Sequence, residues 1–165
     1  MIYRIKQLYN ALFPIIYPME IQWLDDFLSP SQIDLFFSQS LPEQRHALDV
    51  AYDILDKRCI LNNIDYNNLL LAALFHDCGK SITKIYLWQR IFFVFFENMP
   101  TLGQKIVLKN KALANAVKIF SNHSLLGKCL AAKAGFNKEV QILILNHHSP
   151  VSPLEYLLNE ADNKE

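Results

Sequence analysis

Hydrophobic residues recur every three or four positions along much of the chain, which is the spacing that one face of an α-helix requires. From His46 to Leu55 the apolar positions follow this spacing, and Asp49 and Asp53 fall between them, on the side expected to face water. Alternating β-branched runs and Asn-Gly or Asp-Gly turns, which mark strands and hairpins, are almost absent. The pattern therefore predicts an all-α fold.

Prolines, glycines and small polar residues divide this pattern into segments. The predicted helices cover residues 1–13, 19–28, 31–38, 41–55, 69–77, 82–99, 105–120, 123–134, 137–148 and 152–162. Residues 62–68 are rich in asparagine and are predicted to form a polar turn. We expect residues 1–40 to form an N-terminal collar of short helices packed on a helical bundle of residues 41–165, as one structural domain overall.

The segment 82–99 is apolar nearly all round, with Tyr86, Trp88 and four phenylalanines. We predict that it lies in the core; a homodimer contact and a membrane-surface helix are the two alternatives. Its most hydrophobic run, Ile91–Phe96, is far shorter than the roughly 20 apolar residues that a membrane-spanning helix needs. No transmembrane span is therefore predicted.

Composition indicates a folded, single-domain protein with reduced cysteines and no large charged surface. The chain has 165 residues, of which 52% are hydrophobic, enough for a substantial core in one domain. Its formal net charge is zero, so no extended nucleic-acid surface is expected. The cysteines Cys59, Cys78 and Cys129 lack Cys-x-x-Cys spacing and cannot all pair with one another. Reduced thiols and the lack of a signal-peptide pattern predict a cytoplasmic protein.

One stretch has unusual chemistry. Residues 69–81 have the sequence Leu-Leu-Leu-Ala-Ala-Leu-Phe-His-Asp-Cys-Gly-Lys-Ser, an apolar helix that ends at His76 and Asp77. Gly79 suits a helix end. Burying a carboxylate is costly unless a cation or hydrogen-bond donors compensate its charge. The pair is therefore either an exposed helix terminus with two polar caps or part of a buried functional site.

All five histidines fall at or near an end of a predicted helix. They are His46, His76, His123, His147 and His148, and Asp162 lies at the end of the last helix. A single histidine of this kind is ordinarily a hydrogen-bonded core or surface residue. Five of them favour convergence of the helix ends on one cleft, which is how sites in helix bundles are commonly built.

The order of these residues resembles that of the HD-domain metal-dependent phosphohydrolases. That family has a histidine, then a His-Asp pair, then a distant aspartate, which correspond here to His46, His76-Asp77 and Asp162. The segment Leu-Phe-His-Asp-Cys-Gly-Lys is similar to the family signature. The resemblance covers roughly Arg45 to Asp162.

A subset of the family, which includes the HD-GYP enzymes and membrane-anchored phosphodiesterases of cyclic dinucleotides, has a third histidine and a His-His pair. His123 and His147-His148 occupy these places in the same order. The Gly-Tyr-Pro motif that should follow the His-His pair is missing, since Tyr156 is not followed by proline. The chain thus resembles the subset in its ligands but departs from the true HD-GYP enzymes.

The resemblance implies a centre of two divalent cations. His46, His76, Asp77 and Asp162 would hold one cation, and Asp77, His123, His147 and His148 would hold the other. Asp77 would be the shared bridge and a catalytic residue. Imidazole and carboxylate ligands without thiolates suit Fe, Mn, Co, Ni, Zn or Mg. A water held between two such ions loses a proton near neutral pH and can attack phosphorus.

Two basic residues near these ligands are candidates for phosphate contacts. Lys80, at the end of the signature, would be a catalytic point charge for a phosphate oxygen or the leaving group. A solvated lysine after a helix stop is the alternative. Arg45, beside His46, is the other candidate. Cys78 is predicted to fill space and not to act as a nucleophile.

Two functions are consistent with this sequence. The favoured one is a phosphohydrolase or phosphodiesterase that acts on a nucleotide or another small phosphoester. The alternative is an HD-type module that binds a nucleotide or a protein partner with little or no turnover. Tight nucleotide binding without hydrolysis would favour the module.

Overall fold

A computed structural model describes residues 14–82 and 111–164 of the chain. Eight α-helices lie within these ranges: α1 (Pro18–Phe27), α2 (Pro30–Ser38), α3 (Leu41–Leu55), α4 (Asn63–Phe75), α5 (Lys111–Ser121), α6 (His123–Lys133), α7 (Lys138–Asn146) and α8 (Pro153–Lys164). Short 3-10 helices cover Arg58–Ile60 and Cys78–Ile82. No strand occurs in either range, and the predicted all-α fold is confirmed.

Three of the sequence predictions fall on other parts of the chain. The helix at 1–13, the aromatic segment 83–99 with its homodimer alternative, and residues 105–110 lie outside the described residues. Within the described ranges, no helix combines the length and the apolar character that crossing a bilayer requires.

Proline residues begin α1 and α2, one position earlier than the hydrophobic pattern predicts. Pro18 and Pro30 occupy the first helical position, where an N–H group would have no partner within the helix. In α1, Glu20 Oε2 accepts the backbone N–H of Tyr17, just before the proline, at 2.7 Å. Proline and side-chain caps together therefore fix where these short helices start.

The prediction of a polar turn at 62–68 is wrong beyond its first residue. Asn62 is the N-cap of α4, and its Oδ1 accepts two backbone N–H groups of the first turn, at 3.0 and 2.9 Å. Asn68, in the next turn, is buried and donates to Glu139 Oε2 of α7 at 2.6 Å. Polar side chains here cap a helix and join two helices, so the polar stretch is helical.

The core surrounds α4, most of whose residues are buried. α3 and α7 pack against α4, and α8 packs against α3 and α4. The largest fully buried side chains include Leu24, Phe36, Leu48, Leu69, Leu74, Phe75, Ile144 and Leu158. Because α4 is central, the residues that follow its last turn also lie inside the protein.

The described part of the predicted collar packs on this core. Leu24 of α1 and Phe36 of α2 belong to the same hydrophobic cluster as the buried residues of α3, α4 and α7. Ser31 Oγ of α2 donates to the carbonyl of Ala134 at 3.1 Å. The division of the chain at residue 40 stays a prediction.

Candidate metal centre

The residues at the end of α4 lie inside the protein. Ala73, Leu74 and Phe75 in its last turn are fully buried, and His76 and Asp77 follow with 0% and 5% exposure. The alternative of an exposed, polar-capped helix terminus is therefore wrong. His76 Nδ1 donates to the carbonyl of Ala73 at 2.9 Å. That bond fixes the ring and leaves Nε2 as the nitrogen that can face a cation.

Three helices bring a first group of ligand atoms together. This group consists of His46 on α3, His76 after α4 and Asp162 on α8. Asp162 Oδ1 lies 2.9 Å from His46 Nε2 and 3.3 Å from His76 Nε2. Donor atoms that share one cation at about 2.1 Å lie roughly 3 to 4 Å apart, so these separations suit a common ion.

A second group of ligand atoms consists of His123, His147 and His148. His123 Nε2 lies 3.3 Å from His147 Nε2 and 3.1 Å from His148 Nε2. His123 and His147 donate from Nδ1 to the carbonyls of Phe120 and Ile144, three residues earlier in each case. The same local bond that orients His76 thus recurs in the second group. Both histidines of the His-His pair belong to this group.

Asp77 lies between the two groups. Its Oδ1 is 3.3 Å from His123 Nε2 and 3.9 Å from His147 Nε2, while its Oδ2 is 3.7 Å from His76 Nε2. The Lys80 ammonium is 2.6 Å from Oδ2. All seven predicted ligands and Lys80 therefore come together at one place.

Two atoms of this centre are buried without a hydrogen bond. Among the described residues, neither His76 Nε2 nor Asp77 Oδ1 has a partner with hydrogen-bond geometry. Leaving a buried polar atom unsatisfied costs about 1–3 kcal/mol, and more for a charged group. A cation that accepts both lone pairs would offset this cost. The donor set of imidazole nitrogens and carboxylate oxygens, with no thiolate, fits a divalent metal ion.

Burial and neighbouring charges have opposite effects on the pKa values of several residues in the centre. Burial alone would lower the pKa of His76, but the Asp77 and Asp162 carboxylates outweigh it and raise that pKa to about 9. Burial and the neighbouring His76 lower the pKa of His147 to about 3. Burial would raise the pKa of Asp77, yet Lys80 and the imidazoles hold it well below its ordinary value. The centre therefore combines ionised carboxylates with a protonated His76 and a neutral His147, and a cation that binds Nε2 of His76 would take the place of its proton.

A close backbone contact between Gly79 and Gly127 packs the segment after Asp77 against α6, the helix that begins at His123 of the second group. A Cβ atom on Gly79 would lie 1.9 Å from the carbonyl O of His123 and 2.6 Å from the backbone N of Gly127. A Cβ on Gly127 would lie 3.4 Å from the Sγ of Cys78. The 3-10 helix after Asp77 therefore packs against α6 at a distance that position 79 allows only without a side chain. Sequence reasoning assigned Gly79 to a helix end and missed this close approach.

The loop after the second group is held by Glu155, a residue that sequence reasoning also missed. Its side chain is buried, and Oε2 accepts the backbone N–H groups of Val151 at 2.6 Å and Ser152 at 3.0 Å. Oε1 accepts Asn146 Nδ2 at 2.9 Å. Burial would raise the pKa of Glu155, but these donors lower it below its ordinary value of 4.5. The sequence Ser152-Pro-Leu-Glu155 was the available signal, since it matches a capping box.

One helix connects the two groups. α8 carries Asp162 of the first group, and its Asn159 donates from Nδ2 to the carbonyl of His147 in the second at 2.6 Å. Asp162 lies three positions after Asn159, on the same helix face. A shift of α8 would therefore alter both groups.

Arg45 does not face the centre. Its Nη1 contacts the two carboxylate oxygens of Glu20 at 2.8 and 2.9 Å, and Nη2 contacts Asp49 Oδ1 at 2.9 Å. The Arg45 side chain is only 8% exposed. The predicted phosphate contact of Arg45 is therefore wrong, because the guanidinium is already paired with carboxylates. It ties α1 to α3 one residue before His46.

Comparison with protein families gives a match over most of the chain. A family model described as HD domain matches residues 44–165, well over half of the chain. The matched range contains all seven predicted ligands and Lys80. Neither the curated proteins nor the solved structures contain a match to the chain.

Proposed function

Because the chain belongs to the HD-domain family, whose members are generally metal-dependent phosphohydrolases, we propose that it hydrolyses a small phosphoester at a centre of two divalent cations. A nucleotide is the favoured substrate, and the reaction is that of a phosphohydrolase or phosphodiesterase. One observation carries the proposal: the buried Asp77 carboxylate lies within 4 Å of both ligand groups, with its Oδ1 directed at the second group and unsatisfied.

The residues that would hold the cations follow from these distances. The first group, with Asp77, would hold one cation, and the second group, with Asp77, would hold the other. Fe, Mn, Co, Ni, Zn and Mg are the candidate ions, of which Mg fits the imidazole-rich second group least well because it prefers oxygen ligands. When bound, two cations would lower the pKa of a coordinated water and offset the negative charge of the phosphate oxygens.

Lys80 and His148 are the residues of this chain best suited to contact the substrate. The Lys80 side chain is 17% exposed, so its ammonium can reach both the buried Asp77 and a phosphate that enters from solvent. His148 is the exposed member of the second group. Lys80 can therefore donate to a phosphate oxygen at the mouth of the centre, whereas His148 would either ligate the second cation or donate to the substrate.

Cys78 has no catalytic part in this proposal. Its thiol is buried, and Sγ lies 3.6 Å from the carbonyl O of Gly127. Burial and the neighbouring Asp77 raise the pKa of Cys78 to about 12. A protonated thiol inside the core is a poor nucleophile.

Elemental analysis of freshly purified protein, followed by a hydrolysis panel, tests the proposal. The panel contains nucleotides and cyclic dinucleotides, each assayed with Mn, Fe, Co, Ni and Mg. We expect about two transition-metal ions per chain and turnover of at least one phosphoester. Metal-loaded protein that binds a nucleotide tightly and hydrolyses nothing would favour the alternative of a binding module.

A further inference from the structure

Lys80 forms a short ion pair with the carboxylate at the middle of the centre. Its Nζ lies 2.6 Å from Asp77 Oδ2. The residue belongs to the 3-10 helix Cys78–Ile82, and its backbone N–H donates to the carbonyl of Asp77 at 2.9 Å. This tight turn directs the side chain back onto the carboxylate three residues earlier.

The charge of Asp77 depends on this contact. Its carboxylate is buried, and its other oxygen makes no hydrogen bond to the described residues. The imidazole nitrogens of His76, His123 and His147 lie farther away, at 3.3 to 3.9 Å. A buried carboxylate without a close positive partner is strongly destabilising. The Lys80 ammonium is the closest such partner of Asp77 as long as no divalent cation is bound.

We propose that Lys80 is a displaceable internal cation: it neutralises Asp77 in the metal-free protein and leaves Oδ2 when a divalent cation binds. The inference rests on the proposed metal centre. Oδ2 is the oxygen on the side of His76, so the ammonium and a cation of the first group compete for the same atom. The ammonium already lies 2.6 Å from Oδ2, and a divalent cation that binds this oxygen would repel it, because like charges a few ångströms apart repel strongly inside a protein.

The Phe120 ring provides an alternative contact for the Lys80 ammonium once it leaves Asp77. Lys80 Nζ lies 5.2 Å from the centre of the Phe120 ring, and aromatic faces attract ammonium groups at this range. Phe120 immediately precedes the turn to His123, so its ring lies beside the second group. An ammonium displaced from Asp77 therefore stays at the edge of the centre, where a phosphate oxygen can meet it. Cation binding would thus prepare Lys80 for the substrate.

Calorimetric titration with Mn²⁺ alone, at fixed pH and salt, tests the competition. Lys80→Met removes the charge with little loss of length, and Lys80→Arg keeps the charge. Lys57→Met is the matched control, since Lys57, just after α3, pairs with Asp53 of that helix at 3.4 Å and its side chain is 16% exposed. We expect Lys80→Met to bind Mn²⁺ about tenfold more tightly or better, and to melt at a lower temperature without metal. Lys80→Arg and Lys57→Met should bind Mn²⁺ with nearly wild-type affinity.

A purely structural Lys80 would give a different result. It would lower the melting temperature of Lys80→Met and leave Mn²⁺ affinity unchanged or weaker, and that outcome overturns the inference while leaving the proposed function intact. Wild-type protein that binds no Mn²⁺ or other divalent metal would overturn both.

Chemical labelling of the wild-type protein tests the same inference and does not depend on whether Lys80→Met folds. Wild-type lysines are reductively methylated with and without Mn²⁺, and the modification at each position is measured by mass spectrometry. We expect Lys80 to react more slowly without Mn²⁺ than with it, while Lys57 serves as the internal reference. An unchanged or reversed order for Lys80 would overturn the inference.

Discussion

Asp162 Oδ1 lies 2.9 Å from His46 Nε2, although 116 positions separate the two residues. The contact exists because α8 returns against α3, where Lys164 Nζ also pairs with Asp53 Oδ1 at 2.5 Å. On its other side α8 is bonded to His147 through Asn159. Asp162 is thus held on both sides, and its side chain is only 14% exposed.

Asp162→Asn should weaken cation binding by the first ligand group only. The substitution removes a negative charge from the first group and leaves the second group untouched, so bound Mn²⁺ should fall from about two ions per chain to about one. Equilibrium dialysis followed by elemental analysis measures this. Asp56→Asn, which changes an exposed carboxylate outside both groups, should retain the wild-type content. Equal Mn²⁺ content in Asp162→Asn and wild type would contradict the assignment of the first group.

Asp77→Asn should affect both groups. The amide keeps the shape of the side chain but cannot neutralise two cations, and it leaves Lys80 without its carboxylate partner. We expect the Mn²⁺ content to drop to near zero in the same dialysis. A variant that still binds one ion with wild-type affinity would show that Asp77 is not the bridge.

Gly79→Ala should disturb the second group through packing. The new Cβ would lie 1.9 Å from the carbonyl O of His123, so α6 must move away from Asp77. We expect the free energy of unfolding to fall by about 1–3 kcal/mol, measured by urea denaturation, and the second cation to be lost.

Gly135→Ala is the control for the substitution of Gly79. Gly135 has a positive φ of 83° after α6 but open space around the added Cβ. Alanine there should cost roughly 1–2 kcal/mol of backbone strain and leave Mn²⁺ binding unchanged. Full Mn²⁺ content in Gly79→Ala would mean that the glycine contact does not set the position of His123.

Glu155→Gln should change how stability depends on pH. The folded-state pKa of Glu155 is lowered, so its ionised form stabilises the protein above its ordinary pKa of 4.5, and this contribution is lost as the pH falls through the folded-state value. The difference in unfolding free energy between wild type and Glu155→Gln should be about 1–3 kcal/mol at neutral pH and should shrink in acid. Urea denaturation of both proteins across the acidic range measures it. A difference that stays constant down to low pH would show that the charge of Glu155 is not what holds the loop.

Arg45→Met should destabilise the contact between α1 and α3. It leaves Glu20 buried without its ion-pair partner, and breaking a buried pair on one side typically costs about 3–5 kcal/mol. Asp49→Asn, which alters the more exposed partner, should cost less than about 1 kcal/mol. Thermal and urea unfolding measure both. Equal effects of the two variants would contradict the view that the Glu20 pair is the anchor.

Sequence patterns predicted the all-α fold and most helix boundaries, because hydrophobic spacing and proline determine the backbone structure of the few residues around them. The seven candidate ligands were identified by the resemblance of the ordered His, His-Asp, His, His-His, Asp series to the HD family, while the position of each histidine at a helix end favoured a shared cleft. The pairing of Arg45 with Glu20 could not be predicted, because both residues are charged and nothing local marks them as buried. The contact of Gly79 with α6 likewise depends on how two distant segments pack.

The decisive measurement is the rate of phosphoester hydrolysis in excess Mn²⁺, compared between wild type and Asp77→Asn. We expect wild type to turn over at least one nucleotide or cyclic dinucleotide and Asp77→Asn to show no activity above background. Equal rates in the two proteins, or no hydrolysis of any phosphoester by wild type with both cations bound, would contradict it.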